Sequence, residues 1–431
     1  MNYVSTRGAA LPVGLSAAIR HGAAPDGGLY MPAHVPAIDW AALTPEAPLA
    51  DFAAALLAPF FAGDPLERDL PAIARAAFDF PVPIVTPDPA RPSLRALELF
   101  HGPTGAFKDF GARFLLGCFD RIGDPAGPIK ILVATSGDTG GAVGCAAEGR
   151  DAVEALILYP KGRVSAFQEH QLTCWRPPVR AVEVDGDFDD CQRLVKAAFA
   201  DPEFAALHRL TSANSINIGR LLPQIAYLAH AALRAAHETG TAPSLIIPTG
   251  NLGHAFAAVY ARALGAPIGR LVAVTNANRT LGDWHATGRF DPRPSVATIA
   301  NAMDVGSPSN FERLVALPPD ARGIGVEAVD DATIRARIAA DHAACGHLWD
   351  PHAATAAEAF ARLPAADQAL PWLIAATAHP FKFADVLAPI VPAPIAPPPA
   401  LAAIAGRPTR KLTIPPTLDA LRTVLARPAE D

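Results

Sequence analysis

Lysine is scarce enough in this chain that each one invites a reason. Lys108, Lys130, Lys161, Lys196, Lys382 and Lys411 stand among 36 basic residues, and the rest are arginine. Arginine-biased codon usage explains the bias but not the positions kept. Lys108 lies in His101-Gly102-Pro103-Thr104-Gly105-Ala106-Phe107-Lys108-Asp109-Phe110-Gly111, among small and aromatic residues. An ammonium in an apolar, partly desolvated setting gives up its proton more readily, as a nucleophilic or Schiff-base lysine must. A solvated surface lysine is the plain alternative, and this stretch alone does not separate the two.

Two further stretches are built to receive anions. Leu245-Ile246-Ile247-Pro248-Thr249-Gly250-Asn251-Leu252-Gly253 reads as a buried strand, a glycine-bearing turn and a helix start over 254–264. Free N–H groups and the helix dipole favour an anion there by about 0.3–2 kcal/mol. Ala134-Thr135-Ser136-Gly137-Asp138-Thr139-Gly140-Gly141 repeats the construction with hydroxyls added. It is neither a dinucleotide fingerprint nor a Walker loop, so a carboxylate or phosphate suits it better. An ordinary strand-to-helix turn has the same local pattern in both cases.

Asn214-Ser215-Ile216-Asn217-Ile218-Gly219-Arg220 gathers amides, a hydroxyl and a guanidinium before an apolar helix. Such a set can grip a phosphate; helix capping by Ser215 or Asn217 is the alternative. His379 follows an apolar run in Thr377-Ala378-His379-Pro380. No cluster of histidines and acids argues for a metal, and none is expected.

The elements that must position these residues alternate along the chain. Short apolar runs at 131–134, 155–158, 182–184, 245–247, 271–274, 325–328 and 373–376 are each followed by turn-forming residues. That is the signature of parallel strands buried on both faces with helical crossovers. Ligands of such open α/β sheets sit beyond the carboxyl ends of the strands. Residues 1–80 read as mostly helical. Pro81-Val82-Pro83 and Pro87-Asp88-Pro89 mark a stiff connector. A second proline-rich stretch, 389–399, leads to a final helix over 418–426. The expected domains are therefore 1–85, a catalytic region over 86–388, and a connector and tail over 389–431.

Composition removes several classes of function. With 51 % apolar residues the 431-residue chain can bury sizeable cores. A net charge of −6 shows no basic excess, so neither nucleic acid nor an anionic membrane is an expected partner. Five widely spaced cysteines without a C-x-x-C pair argue against a disulfide framework and for a reducing compartment. The opening residues lack a basic stretch leading into an apolar one, and apolar stretches are interrupted too soon to span a bilayer, as where Arg262 and Arg270 break the run over 255–274. A cytoplasmic protein is expected.

Taken in order, these motifs resemble the threonine synthase family, pyridoxal-phosphate enzymes of fold type II. The resemblance rests on Phe100-His101-Gly102-Pro103-Thr104, Ala106-Phe107-Lys108-Asp109, Ser136-Gly137-Asp138-Thr139-Gly140, Asn214-Ser215-Ile216-Asn217 and Gly250-Asn251-Leu252-Gly253. Asn301-Ala302-Met303-Asp304-Val305, Asp350-Pro351-His352 and Thr377-Ala378-His379-Pro380 follow in family order. Ser5-Thr6-Arg7-Gly8 and Asp26-Gly27-Gly28-Leu29 look like that family's leading domain. The similarity spans residues 1–390 and weakens in the tail. It implies open, mostly parallel sheets flanked by helices, two lobes with the active site between them, and a family-specific N-terminal domain.

The resemblance also implies roles. Lys108 would carry pyridoxal 5'-phosphate covalently. Gly250, Asn251, Leu252 and Gly253 would cradle the cofactor phosphate, Thr377 would bond the pyridine nitrogen, and Asp138 would face the ring. Ser136, Gly137 and Thr139 would meet the amino-acid end of the substrate. Ser215, Asn217 and Arg220 would take the substrate phosphate, with Lys161 a further contact. The implied substrate is O-phospho-L-homoserine, turned with water into L-threonine and phosphate by a monomer or homodimer. Alternatives on the same scaffold are a phospholyase releasing phosphate, ammonia and a keto acid, and a silent relative that only binds phosphorylated ligands. Three positions depart from the family pattern. Gly105 replaces a larger apolar residue and predicts a looser loop, Asp138 stands where fold relatives carry an amide, and His254 where an acid is commoner.

Overall fold

The computed structural model describes residues 1–392 and 394–427, so residues 393 and 428–431 of the expected tail lie outside the described residues. The N-terminal region holds the helices Leu15–His21, Leu49–Phe61 and Leu70–Ala77. It also holds an antiparallel ribbon of β1 (Tyr3–Ser5) and β2 (Tyr30–Pro32). Strands of three residues carry too little alternation to be read from sequence.

The remaining strands are β3 (Ile84–Val85), β4 (Leu94–Glu98), β5 (Ile129–Ala134), β6 (Val153–Pro160), β7 (Val179–Val184), β8 (Leu210–Thr211), β9 (Ser244–Pro248), β10 (Leu271–Thr275), β11 (Gly325–Ala328), β12 (Trp372–Ala376) and β13 (Leu412–Ile414). They form two sheets, ordered β11-β10-β9-β12-β4-β3 and β13-β7-β6-β5-β8. Every pairing is parallel except β3 with β4. Each of the seven apolar runs forms a strand, and β6, β9, β10 and β12 are buried along their whole length. Both faces are covered, as a parallel sheet requires.

The strands that composition did not flag lie at edges or carry charge. In β4, Arg95 and Glu98 interrupt the apolar run, although Leu94, Ala96 and Leu97 are buried. The short β13 lies in the segment expected as a tail, yet it pairs with β7 at one border of the second sheet. The helix Leu418–Ala426 lays Leu421, Val424 and Leu425 against that sheet.

Two helices hold the lobes in register. Ile218–Thr239 is capped by the Asn217 side chain and ended by Gly240 in the left-handed conformation. Lys108–Ile122 packs on it, burying Phe110, Phe114, Leu115 and Phe119 in the main core. The carboxyl ends of β5, β9 and β12 open into one cleft between the sheets. None of the described helices is long and apolar enough to cross a membrane.

Candidate active site

Lys108 is the first residue of its helix and faces this cleft. The loop before it is pinned. Thr104 donates to Asp109 through its N–H (2.9 Å) and its hydroxyl (2.7 Å), so the buried carboxylate closes the turn. Phe107 N–H donates to Thr377 O (2.9 Å) and His379 N–H to Gly105 O (2.9 Å), tying the loop to the end of β12. Gly105 adopts φ +66°, and a Cβ there would stand 3.0 Å from Leu401 Cδ1. The looser loop expected from this glycine is thus not found: a left-handed turn backed by Leu401 requires the small residue.

The surroundings set the basicity of Lys108. Burial pushes its ammonium down to about 8, with Asp138 opposing that fall and Arg220 and Lys382 adding to it. Asp138 starts the helix Asp138–Ala147. Burial alone would raise its carboxyl, but Lys382 and Lys108 outweigh this and hold it well below the usual carboxylate range. Arg220 is buried at the cleft wall; its Nη1 donates to Ala213 O, while Nε has no partner among the described residues. Burial lowers this guanidinium to about 10.

The turn after β9 is uncharged and tight. No protein acceptor meets the N–H groups of Gly250, Asn251, Leu252 or Gly253 among the described residues. Leu252 takes φ +62°, a conformation costing a non-glycine residue about 1–2 kcal/mol. Its side chain is buried in the main core, which holds it there. A Cβ on Gly250 would stand 2.7 Å from Met303 Cα, so only glycine fits. Asn251 braces the turn by accepting from Ser309 N–H (2.5 Å) and donating to Ser215 Oγ (2.7 Å).

The turn after β5 is organised differently. Thr135 Oγ1 accepts from both Gly137 N–H and Gly140 N–H at 3.0 Å, leaving the N–H groups of Ser136, Asp138 and Thr139 unpaired among the described residues. Ser136, Asp138, Thr139, Ser215 and Arg220 line the cleft with Lys108, the 250–253 turn and Thr377.

Three expected site residues are not brought there. Lys161 is half-exposed and pairs at 3.5 Å with Asp185 on the surface, because it begins the turn after β6 rather than the one after β5. Asn217 is fully buried as a helix cap, accepting from Gly219 N–H and donating to Ile19 O and Ser212 O. Gly137 is absent from the lining and spends its N–H on Thr135.

Other cleft residues carried no expected role. His352 donates from Nδ1 to Asp350 (2.8 Å), and its Nε2 accepts from Ala302 N–H (3.1 Å), an assignment that makes the ring neutral. His254, at the departure from the family pattern, stacks on Phe107 at 4.5 Å with neither nitrogen partnered among the described residues. Burial pushes it down to about 3, so it is neutral. Lys382 reaches Asp138 from behind at 2.8 Å. Its signal was available: Phe381-Lys382-Phe383 just past β12 echoes the aromatic setting of Lys108.

Comparison with known proteins agrees with this geometry. Residues 94–371 match the family described as "Pyridoxal-phosphate dependent enzyme", and residues 2–78 match "Threonine synthase N terminus". The threonine synthase of Haemophilus influenzae is 38 % identical over 391 residues, covering 89 % of this chain and 90 % of that one. The crystal structure of threonine synthase from Escherichia coli superposes with a TM-score of 0.91 at 34 % identity, covering 99 % of both chains. A pyridoxal-phosphate-bound threonine synthase structure from Brucella melitensis gives 0.88 at 32 % identity, covering 99 % of this chain and 98 % of that one. With a lysine set between two anion-ready turns and similarity that runs through both the leading domain and the catalytic region, the chain belongs to the threonine synthase family of pyridoxal-phosphate-dependent enzymes.

Proposed function

We propose that the chain converts O-phospho-L-homoserine and water into L-threonine and phosphate. One arrangement carries the reading: Lys108, with its basicity reduced, stands between two turns with free N–H groups and beside the buried Arg220. The residues fit pyridoxal phosphate. Four free N–H groups at a helix start, in a turn too close to Met303 for any side chain at Gly250, suit a phosphate dianion. In this reading Gly250, Asn251, Leu252 and Gly253 hold that phosphate, Thr377 the ring nitrogen, Lys108 the covalent link, and Asp138 faces the ring.

The chemistry supplied by the bound cofactor is an electron sink for charge developing at the substrate's α-carbon. The protein does the rest. Ser136 and Thr139 orient the substrate carboxylate through N–H and hydroxyl groups. The Lys108 amine, freed when substrate takes its place, removes the Cα proton and serves the neighbouring carbons as proton carrier. Arg220 and Ser215 bind the phosphate on Cγ and stabilise it as it leaves. Water then adds at Cβ, and the burial of this corner keeps it out before that step. A cytoplasmic location fits the five free thiols.

Incubation with O-phospho-L-homoserine, with phosphate and threonine assayed together, tests the proposal. Equal amounts of both are expected. Phosphate with ammonia and a keto acid would make the chain a phospholyase, and no turnover would leave only a binding role.

A further inference from the structure

Lys382 lies in the 3-10 turn Pro380–Phe383, just beyond β12, and its side chain has no exposed surface. Its ammonium meets Asp138 Oδ1 at 2.8 Å and donates to Thr104 O at 2.9 Å. Oδ1 also accepts from Gln168 Nε2 at 3.1 Å, and Gln168 Oε1 accepts from Asn301 Nδ2 at 3.0 Å. Asp138 Oδ2 has no protein donor among the described residues, and Asp138 lines the cleft. Lys382 is not part of the cleft lining, so it backs the carboxylate from outside the cleft.

A buried carboxylate seeks a cation. Without Lys382, the ammonium of Lys108 on the same cleft wall is the group left to serve. An ion pair of that kind would keep the proton on the nitrogen that must react. With Lys382 in place the carboxylate is already balanced, and the second ammonium repels a proton on Lys108. The other charged or titratable groups facing this corner are Arg220, Asp109, His254, His352 and His379, of which burial keeps His254 and His379 neutral.

We propose that Lys382 is a positioning residue: by balancing Asp138 from behind, it lets a carboxylate stand in the cleft while Lys108 stays free to lose its proton. The proposal rests on Lys108 being the cofactor lysine. It makes the Asp138–Lys382 pair, not Asp138 alone, the functional unit.

The test reads Lys108 directly. The full-length chain, stripped of cofactor, is pulsed with an amine-selective acylating reagent across the pH range, and labelling of the Lys108 peptide is followed by mass spectrometry. Lys382→Met, and Lys382→Gln with its donor kept, should each move the labelling midpoint up by about one pH unit. Asp138→Asn should move it down, and Lys382→Arg should leave it in place. In the cofactor-loaded protein the pH transition of the visible absorbance should move in the same directions. A purely structural staple would lower thermal stability in these variants but leave the midpoint where it was. An unmoved midpoint in whichever neutral variants fold overturns the proposal. In the cofactor-free chain the labelling reports the proton affinity of Lys108 whether or not this is the lysine that binds cofactor; failure of the Lys108 assignment would show separately, as a borohydride-fixed adduct on another residue or on none.

Discussion

The two strand-to-helix turns that face each other across the cleft share a plan and differ in charge. The turn after β9 presents four unpaired N–H groups, no ionised side chain, and a backbone braced by Asn251 and strained at Leu252. The turn after β5 presents three unpaired N–H groups, spends Gly137 N–H on Thr135, and places Asp138 in the lining with Lys382 behind it. The first suits a ligand group that stays bound and keeps its charge. The second suits a ligand that arrives, reacts and leaves, because its ionised group is counterbalanced and its hydroxyls can adapt. In the function proposed above, rigidity falls where the cofactor phosphate would stay bound, and balanced charge where protons would move.

The largest effect should come where the two turns converge. Lys108→Ala is expected to lower threonine formation by about 10³-fold or more, with loss of the borohydride-sensitive visible band. Wild-type rates in that variant would sink the assignment. Next, Gly250→Ala should weaken cofactor binding by about 100-fold, since its Cβ would press on backbone at Met303. Gly137→Ala meets only the end of the Gln168 side chain. It should leave cofactor affinity within about threefold while costing about 1–3 kcal/mol or more of stability, because φ +138° with ψ −88° lies outside even the left-handed helical region. Equal losses of cofactor affinity in the two variants would erase the distinction between the turns. Fluorescence titration of the cofactor-free protein measures both.

Arg220→Met should raise KM for O-phospho-L-homoserine by about tenfold or more while leaving cofactor affinity unchanged, which steady-state assays and titration separate. The pH dependence of cofactor uptake follows from Lys108. Its folded-state value of about 8 lies below the usual lysine range, so the reactive free amine grows tenfold per pH unit below that point. The stopped-flow rate of uptake should climb towards about pH 8 and level off above it. Smallest of all, Lys161→Ala should change KM less than about twofold, because an exposed pair 3.5 Å from Asp185 contributes little and lies away from the cleft.

What could be read from the sequence was what local composition encodes. Apolar runs between turn residues marked the central strands, and glycines beside free N–H groups marked both turns. Lys108 was legible because aromatic and small neighbours advertise desolvation. Asn217 caps a helix and Gly137 lies outside the cleft lining, outcomes left open by the sequence because capping a helix and binding a ligand call on the same residue types and only packing decides between them. The pairing of Lys382 with Asp138 was out of reach for another reason: the partners lie in different lobes, far apart in the chain. Phe381 and Phe383 mark the lysine for burial, but which carboxylate it meets depends on how β12 sits between its neighbours.

That position of β12 has a consequence for how the protein is made. β5 to β8 emerge consecutively, so most of the second sheet can pair while the rest of the chain is still being synthesised. In the first sheet β12 lies between β9 and β4, yet it is the last of those strands to leave the ribosome. Until then β4 can pair only with the two-residue β3, and β9 has one open border beside the glycine turn. A nascent or truncated chain ending before residue 372 therefore displays unpaired strand edges of the kind that associate with one another. The Lys108 loop must wait for the same strand, because Thr377 and His379, whose backbone groups anchor it, come with it. Anchoring of the Lys108 loop and closure of the inner strand edges of the first sheet are thus completed by a single late event in synthesis.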